Sequence, residues 1–267
     1  MQRIYRYGDS DNWWGPAGNE GATGPCSELH YDGGREKGCG DMVTPDALTD
    51  ILRADRAAGA KTGFPPAPGC HPNCDRCERF LELWNLVFTQ FYQDQGKNLS
   101  PLPAPNIDTG MGLERAATIL QGRRTVYETD LFAPLLSQVG KLCDKTYGEN
   151  LQCDRAMRVV VEHGRAAVFL IADGVIPSND GRGYVLRRII RRAVRFGRQL
   201  GLDGAFLGEV AEAVSERMGS AYPELLTNRT FILRVLELEE ERYGEVFERG
   251  LEILKGMMDH RVRHSAA

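Results

Sequence analysis

The sequence lacks both a long apolar run and an excess of positive charge. No stretch approaches the roughly 20 apolar residues that a membrane-spanning helix needs, and the N-terminal segment has no apolar core of a secretory signal. The net charge is −4, so the chain as a whole does not attract nucleic acid, and any such binding needs a local basic face. These absences predict a cytoplasmic protein without a membrane partner.

An even number of cysteines is also lacking. Seven cysteines without a signal peptide argue against a disulfide framework. Apolar residues make up 42% of the chain and charged residues 26%, which is typical of a folded globular protein. The 267 residues are enough for one large domain or two ordinary ones.

The chain changes character along its length. Residues 1 to about 65 are rich in glycine and aspartate without regular periodicity, which indicates loops and short strands. Segment 80–93 partly alternates in polarity and predicts a strand buried on at least one face, followed by a proline-rich turn. From about residue 154 onward the patterns are helical. We therefore expect an α+β part over 1–150 and an all-helical part over 151–267.

Closely spaced glycines precede a predicted helix in the segment DTGMGLER. Gly110 and Gly112 let a ligand approach the backbone, and a helix start offers N–H groups to anions. The guanidinium of Arg115 can pair with a phosphate or stack on a base. Taken alone the segment is weak evidence, because such turns are usually plain loops and Asp108 could simply cap the helix.

A second informative segment, residues 172–184, runs into an arginine-rich helix. Four arginines there are spaced i, i+3, i+4 and i+7, so they share one helix face. Such a stripe on an acidic protein suits a phosphate backbone, whereas the alternative is a solvated face paired with the acidic segment LELEEER. The arginines are Arg188, Arg191, Arg192 and Arg195.

A cluster of cysteines stands out in the segment CHPNCDRC, within an insert at about 34–77. Cys70, Cys74 and Cys77 form a compact set of soft ligands, and a tetrahedral zinc site needs four such groups. The candidates for the fourth ligand are the adjacent His71 and the distant Cys39. The alternative is an ordinary loop with three free thiols.

The segments NWW, TGPCSE, LWNLVF and DTGMGLER, in this order, resemble the alanyl-tRNA synthetases, a family of class II aminoacyl-tRNA synthetases. The string LIADGVIPSNDGRGYVLRRIIRRA resembles the same family. The resemblance implies the C-terminal part of a class II antiparallel-sheet catalytic domain, followed by an all-α tRNA-recognition domain. The implied chemistry uses ATP and Mg²⁺ to activate alanine as alanyl-adenylate, which is then transferred to the 3′ end of tRNA-Ala. Such chemistry needs positioning and charge neutralisation more than a general base.

Residue roles follow from the resemblance at the matching positions. It implies that Asp108 binds the ammonium group of alanine and that Arg115 faces ATP, and these two are the implied catalytic residues. The implied alanine-binding residues are Trp14, Asn85, Val87, Asp108 and Gly110, and those for ATP are Gly110, Gly112 and Arg115. For the neighbouring Trp84 and Phe88 the favoured interpretation is ordinary strand core.

For the acceptor stem of tRNA-Ala, the resemblance implies that Asn179 reads the third base pair, a G·U wobble. An amide both donates and accepts hydrogen bonds, which suits a minor-groove edge. The family's ADHxRA helix reads VEHGRA here, so Gly164 departs from the pattern and His163 is assigned a structural role. The implied tRNA-binding residues are Asn179, Arg182, Arg188, Arg191, Arg192 and Arg195.

The resemblance covers nearly the whole chain except the insert at about 34–77. Class II motifs 1 and 2 and the family's editing domain have no counterpart in the sequence. We therefore expect an internal fragment of an alanine–tRNA ligase, with the missing N-terminal catalytic half as a partner. The alternative is a catalytically inactive, truncated paralogue that acts as an acceptor-stem binding module.

Overall fold

The computed structural model describes residues 3–16, 18–57, 69–74 and 76–265, and the chain divides into two compact units. The sheet unit comprises Met1–Gly122, and the helical unit comprises Arg123–Ala267. The described residues form four β-strands and eight α-helices, which confirms the predicted α+β class. The sheet unit contains β1 (Trp13–Trp14), β2 (Gly21–Asp32), α1 (Pro45–Ala57), β3 (Phe80–Gln93), β4 (Leu99–Met111) and α2 (Leu113–Leu120). The helical unit contains α3 (Ala133–Cys143), α4 (Leu151–Ala172), α5 (Gly181–Gln199), α6 (Leu207–Met218), α7 (Glu224–Thr227) and α8 (Arg229–Ser265).

The sheet is antiparallel throughout, in the order β1-β2-β3-β4. The strand predicted at 80–93 is confirmed as β3, and it lies in the middle of the sheet because both β2 and β4 pair with it. Its aromatic and β-branched residues suit a pleated surface that is covered by neighbours. This central strand fixes the register of the residues on either side of it.

The proline-rich turn predicted after β3 was placed wrongly. The turn occupies 94–98, and the prolines belong to β4 at the end of the described sheet. The ladder pairs Thr89 with Asn106 and then Phe91 with Pro101, so Pro103 and Pro105 fall where it is interrupted. Proline has no N–H to donate, and an edge strand with a bulge is where a sheet accepts it.

The glycine-rich N-terminal segment was predicted as loops and short strands, yet it contains the 12-residue strand β2 and the 13-residue helix α1. Gly24 shows why glycine suits this strand. A Cβ atom at Gly24 would collide with the backbone carbonyl of Phe88. The close approach of two backbones requires a residue without a side chain. The glycine content was therefore read as a sign of loops, although here it serves strand packing.

The helical unit has one apolar core, and α4 contributes much of it. Met157, Val160 and Val168 of α4 are each fully buried. Gly164 lies in the middle of this helix, where a Cβ would stand 2.7 Å from Val210 of α6. The departure from the family pattern at Gly164 therefore coincides with a close approach of two helices.

The packing boundary at Gly122–Arg123 precedes the change of sequence character near residue 150. The reason is that α3 contributes Leu135, Leu136 and Val139 to the core that α4 completes. The division at 150 stays a prediction about domains. Among the described helices, none is long and apolar enough to cross a membrane.

Candidate functional site

Four of the residues predicted to bind alanine lie on one face of the sheet. In the ladder between β3 and β4, Asn85 is opposite Gly110 and Val87 is opposite Asp108. Directly paired residues of antiparallel strands point to the same side, and so does every second residue along a strand. The four residues therefore form two neighbouring rows on one face of the sheet, and Asp108 is exposed on that face.

Strand β2 extends both rows with polar groups. Glu28 is opposite Asn85, and Cys26 is opposite Val87. The side-chain amide of Asn85 donates to the Glu28 carboxylate at 3.3 Å, and His30 contacts the same carboxylate at 3.1 Å. The Oδ1 atom of Asn85 is buried and has no hydrogen-bond partner among the described residues. Because the amide nitrogen already donates to a carboxylate, the Asn85 oxygen is an acceptor that remains available to a donor group.

Trp14 does not join these rows. It lies in β1 opposite Gly24, with 50% of its surface exposed. Three strand spacings separate β1 from β4, or about 14 Å, so the backbones of Trp14 and Asp108 are well apart. A role for Trp14 beside Asp108 stays a prediction.

Arg115 is fixed at the start of α2, where the strand β4 gives way to helix. Its guanidinium donates to the backbone carbonyl of Glu82 at 2.7 Å and to the Glu82 carboxylate at 3.0 Å. Gly112 caps the helix, and a Cβ there would approach the Arg115 side chain to 3.0 Å. Glycine thus leaves space for the arginine to fold back over β3. With both side chains of the pair partly exposed, the cation is accessible to an anion.

A cavity of about 270 Å³ lies over the β2 end of the same face. Cys26 and Glu28 line it from the strand, and Tyr7 and Pro72 line it from neighbouring segments. Burial raises the pKa of the Cys26 thiol, which keeps it neutral at ordinary pH. The lining does not include Asp108, so this cavity adjoins the predicted site and does not coincide with it.

In the helical unit, Asn179 lies exposed in the loop that leads into α5. The loop packs tightly on the first turn of the helix, because a Cβ at Gly183 would collide with the Ile176 carbonyl and the Ser178 hydroxyl. The Ser178 hydroxyl donates to the backbone carbonyl of Asp180 at 2.8 Å. The position of Asn179 is therefore set by backbone packing around glycine.

The arginines of the predicted stripe have different surroundings. Arg188, Arg192 and Arg195 are exposed, and each lies over an aromatic ring of its own helix. Arg182 is also exposed. Arg191 differs, since it donates to the buried carboxylate of Glu239 at 2.7 Å. The alternative of pairing with the acidic helix thus applies to Arg191 and leaves an exposed basic surface at the other positions.

Arg187 contacts one of the predicted site residues, and the sequence patterns did not single it out. Its guanidinium donates to the side-chain oxygen of Asn179 and lies 3.2 Å from Glu239. Arg187 and Arg191 are four residues apart and share a helix face, so one carboxylate serves both. The sequence offered only a weak signal for Arg187. It precedes Arg188 in the first RR pair, and helical spacing placed it neither in the arginine stripe nor on the apolar face.

His163 has the surroundings of a structural residue. It is half-buried in α4, and burial lowers the pKa of its imidazole. The neutral form therefore predominates at ordinary pH. The neighbouring Tyr127 donates to Glu162 at 3.1 Å, so the polar groups of this turn are engaged within the helical unit.

The candidate metal site consists of four cysteine side chains, and the imidazole of His71 is engaged elsewhere. The sulfur atoms of Cys39 and Cys74 are 3.5 Å apart, and those of Cys70 and Cys77 are 3.4 Å apart. His71 instead directs its Nδ1 atom to the Pro72 carbonyl at 2.7 Å and to the Tyr7 hydroxyl at 3.2 Å. Cys39 therefore replaces His71 in the candidate ligand set, because folding brings the two ends of the insert together.

The electrostatics within this cluster are uneven. Although burial raises it, hydrogen bonds from the backbone N–H of Arg79 and the neighbouring thiols lower the pKa of Cys77 to about 7. A hydrogen bond with Cys74 raises the pKa of Cys39. The Cys77 thiol is thus close to ionisation at neutral pH, while the raised pKa of Cys39 keeps that thiol protonated.

The fold and these surfaces agree with one class of protein. Residues 59–266 match the family model described as tRNA synthetases class II (A), and the chain belongs to that family. The resemblance noted from the sequence motifs is confirmed at this level.

Within this class, the chain is similar to alanine–tRNA ligases. The chain is 49% identical over 253 residues to the alanine–tRNA ligase of Dehalococcoides mccartyi strain CBDB1, which covers 95% of this chain and 26% of that protein. It is 46% identical over 257 residues to the alanine–tRNA ligase of Desulfosudis oleivorans, and 40% identical over 258 residues to that of Petrotoga mobilis. The chain spans about a quarter (26%) of the length of the curated relatives it matches.

Proposed function

We propose that this chain is part of an alanine–tRNA ligase, in which the sheet unit contributes to the alanine and ATP site and the helical unit binds the acceptor stem of tRNA-Ala. The observation that carries the proposal is the shared face of Asn85, Val87, Asp108 and Gly110. The similarity to alanine–tRNA ligases gives that face its chemical interpretation.

In the proposed alanine site, the exposed carboxylate of Asp108 attracts the ammonium group of the amino acid. The unpartnered Oδ1 of Asn85 supplies an acceptor in the neighbouring row, where an ammonium N–H is a suitable donor. Val87 is buried in the same row as Asp108 and offers apolar surface to a methyl group. Gly110 has open space where a Cβ would stand, which leaves room for a ligand against the backbone.

The proposed reaction begins with attack of the alanine carboxylate on the α-phosphorus of ATP. The bond from that phosphorus to the leaving oxygen breaks, and pyrophosphate departs. Arg115 neutralises charge on the nucleotide, and Gly110 near the end of β4 and Gly112 before α2 leave the backbone open to it, while Mg²⁺ would arrive bound to ATP. A hydroxyl at the 3′ end of the tRNA then attacks the alanyl carbonyl carbon and gives up its proton, the bond to the phosphate oxygen breaks, and AMP leaves.

In the helical unit we propose that Asn179 reads the G·U pair while exposed arginines contact phosphates. The support is the exposure of the Asn179 amide and of Arg182, Arg188, Arg192 and Arg195 on α5 and the loop before it. Arg191, predicted to bind tRNA as well, is instead engaged by its ion pair with the buried Glu239, so we assign it no phosphate contact. We also propose a cytoplasmic location, where tRNA and ATP are available, and a partner that supplies motifs 1 and 2.

One observation favours the second candidate, an inactive acceptor-stem binding module. The apolar core of the helical unit is built from residues between Phe132 and Leu236, so it is complete without the sheet unit. A unit with its own core can hold an RNA stem without any chemistry in the remainder of the chain.

Alanine-dependent exchange of pyrophosphate into ATP separates the two candidates. It is measured on the purified chain with and without a supplied fragment that bears motifs 1 and 2. Exchange in the reconstituted sample that depends on alanine and is weaker with serine at equal concentration supports the ligase. No exchange in either sample, together with salt-dependent binding of tRNA-Ala, supports the binding module instead.

A further inference from the structure

Four sulfur atoms from two distant segments converge in the sheet unit. Cys39 follows the end of β2, whereas Cys70, Cys74 and Cys77 lie shortly before β3. The sulfur atoms of Cys39, Cys74 and Cys77 all lie within 4.8 Å of one another. The sulfur of Cys70 does not lie within 4.8 Å of all three, but it is 3.4 Å from that of Cys77.

Two of the separations between sulfur atoms are close to the edge of a zinc–thiolate tetrahedron. Zinc binds thiolate sulfur at about 2.3 Å, so two ligands of a tetrahedral site are about 3.8 Å apart. The pairs Cys39–Cys74 and Cys70–Cys77 are 3.5 Å and 3.4 Å apart. These two pairs need to open by only a few tenths of an ångström, and Cys70 has to move closer to the remaining sulfurs, whereas a disulfide requires each pair to close to about 2.05 Å.

The backbone around the thiols is already ordered by hydrogen bonds. Cys70 forms a bridge with the segment before α1, donating to the Asp41 carbonyl at 2.7 Å and accepting from the Val43 N–H at 3.0 Å. The N–H of Cys74 donates to the His71 carbonyl at 3.2 Å, in a turn where Asn73 adopts a left-handed φ of 60°. These hydrogen bonds fix the backbone at Cys70 and at Cys74, so little backbone ordering remains for metal binding.

A buried cation lies beside the thiols. Arg79 contacts Cys70 and forms a bidentate ion pair with Asp32 at 2.6 and 2.9 Å. Four thiolates around Zn²⁺ carry a net charge of −2, and a neighbouring guanidinium compensates part of it. Because Asp32 ends β2 and Phe80 begins β3, the same arginine joins the cluster to the sheet.

We propose that Cys39, Cys70, Cys74 and Cys77 together bind one structural zinc ion. Each thiol loses its proton to solvent, four zinc–sulfur bonds form, and no oxidation state changes. Four protein ligands leave no open position for water, so the site is structural and not catalytic. The ion closes the connection between β2 and β3 at both of its ends, next to the cavity that Pro72 lines.

The ligand set is tested on the purified full chain by mass-spectrometric metal analysis after dialysis against metal-free buffer. We expect about one zinc per chain, reduced to less than about a tenth in Cys39→Ser and in Cys77→Ser. His71→Ala should retain the metal, because its Nδ1 atom faces Tyr7 and Pro72. Cys153→Ser in the helical unit is the matched control and should also retain it.

Two further measurements keep the test decisive where a serine variant does not fold. Cobalt(II) added to the zinc-stripped chain should give the strong absorption bands of a tetrahedral tetrathiolate. Cys39→His should keep one metal per chain while shifting those bands toward a site with three sulfurs and one nitrogen.

Several outcomes would overturn the proposal. These are a chain that binds neither zinc nor cobalt, and disulfides that link Cys39 to Cys74 or Cys70 to Cys77 in the freshly purified chain. Iron in place of zinc would overturn the identity of the metal. Loss of zinc in His71→Ala with retention in Cys39→Ser would replace the four-thiol set by three thiols and an imidazole.

Discussion

Arg187 donates a hydrogen bond from its guanidinium to the side-chain oxygen of Asn179. The same guanidinium lies 3.2 Å from the carboxylate of Glu239, whose side chain is only 2% exposed. Glu239 also pairs with Arg191, so one buried carboxylate connects α8 to both arginines of α5. The Asn179 oxygen is thereby occupied, and its amide NH₂ group is left to donate outward.

This network predicts that Arg187 positions Asn179 for base reading. In Arg187→Ala the amide loses its anchor, so the preference for an acceptor stem with G·U over one with G·C should fall about tenfold, or about 1.4 kcal/mol. Fluorescence anisotropy with two RNA stems that differ at this pair measures the effect.

Arg195→Ala serves as the control, because Arg195 is exposed and contacts only the ring of Phe196 among the contacts described for it. It should weaken both stems equally and reduce the salt slope by about 1. An equal loss for both stems in Arg187→Ala would contradict a positioning role.

Asp108→Asn tests the proposed ammonium site. Removing the charge should weaken binding of a non-hydrolysable alanyl-adenylate analogue roughly 10- to 100-fold, since a hydrogen bond to a charged group contributes about 1.5–3 kcal/mol. Calorimetry with the fragment bearing motifs 1 and 2 supplied provides the measurement. Thr109→Ser, one residue along and on the opposite face, should bind as the parent chain does. Unchanged affinity in Asp108→Asn would remove Asp108 from the site.

Glu240 predicts a dependence of stability on pH. Its carboxylate accepts from the backbone N–H groups of Phe206 at 3.1 Å and Leu207 at 3.2 Å, where α6 begins. Burial raises the pKa of Glu240 to about 7, although these two hydrogen bonds lower it. The folded state therefore binds more protons than the unfolded state between the ordinary glutamate pKa and about 7. The resulting stabilisation is complete below that window and is lost as pH rises through about 7.

Urea unfolding at about pH 5 and about pH 8 checks this sign. The free energy of unfolding should contain a contribution on the order of 2 kcal/mol that disappears at the higher pH and is absent in Glu240→Gln. The exposed neighbour Glu241 offers the control substitution Glu241→Gln. If the parent chain and Glu240→Gln lose stability equally over this range, the effect does not belong to Glu240.

Gly197→Ala should destabilise the helical unit by about 1–3 kcal/mol. A Cβ at this position would collide with the aromatic ring of Phe206, so the two segments would have to separate. Gly250→Ala in α8 meets open space and should instead stabilise slightly, because alanine has the higher helix propensity. Thermal unfolding followed by circular dichroism compares the two. A Gly197→Ala variant as stable as the parent would show that this contact is readily relieved.

Much of the fold was accessible from local pattern. The strand at 80–93 and the helices α4, α5 and α8 follow from apolar periodicity, which depends only on neighbours in the sequence. The wrong predictions concern segments whose conformation depends on the strand that pairs with them. Pro103 and Pro105 argue for a turn until the interruption of the β3–β4 ladder is known, and Gly24 argues for a loop until the Phe88 carbonyl is seen beside it.

The sequence by itself determined the residue types of the candidate sites and their family. DTGMGLER, WNLVF and the arginines of α5 carry that information in short segments. Only the tertiary structure decided which side chains meet. Strand register places Asp108 opposite Val87. Folding of the insert brings Cys39, and not His71, next to Cys74 in the candidate ligand set. The physical reason is that pairing and packing act between segments far apart in the chain, where sequence spacing carries no information about distance.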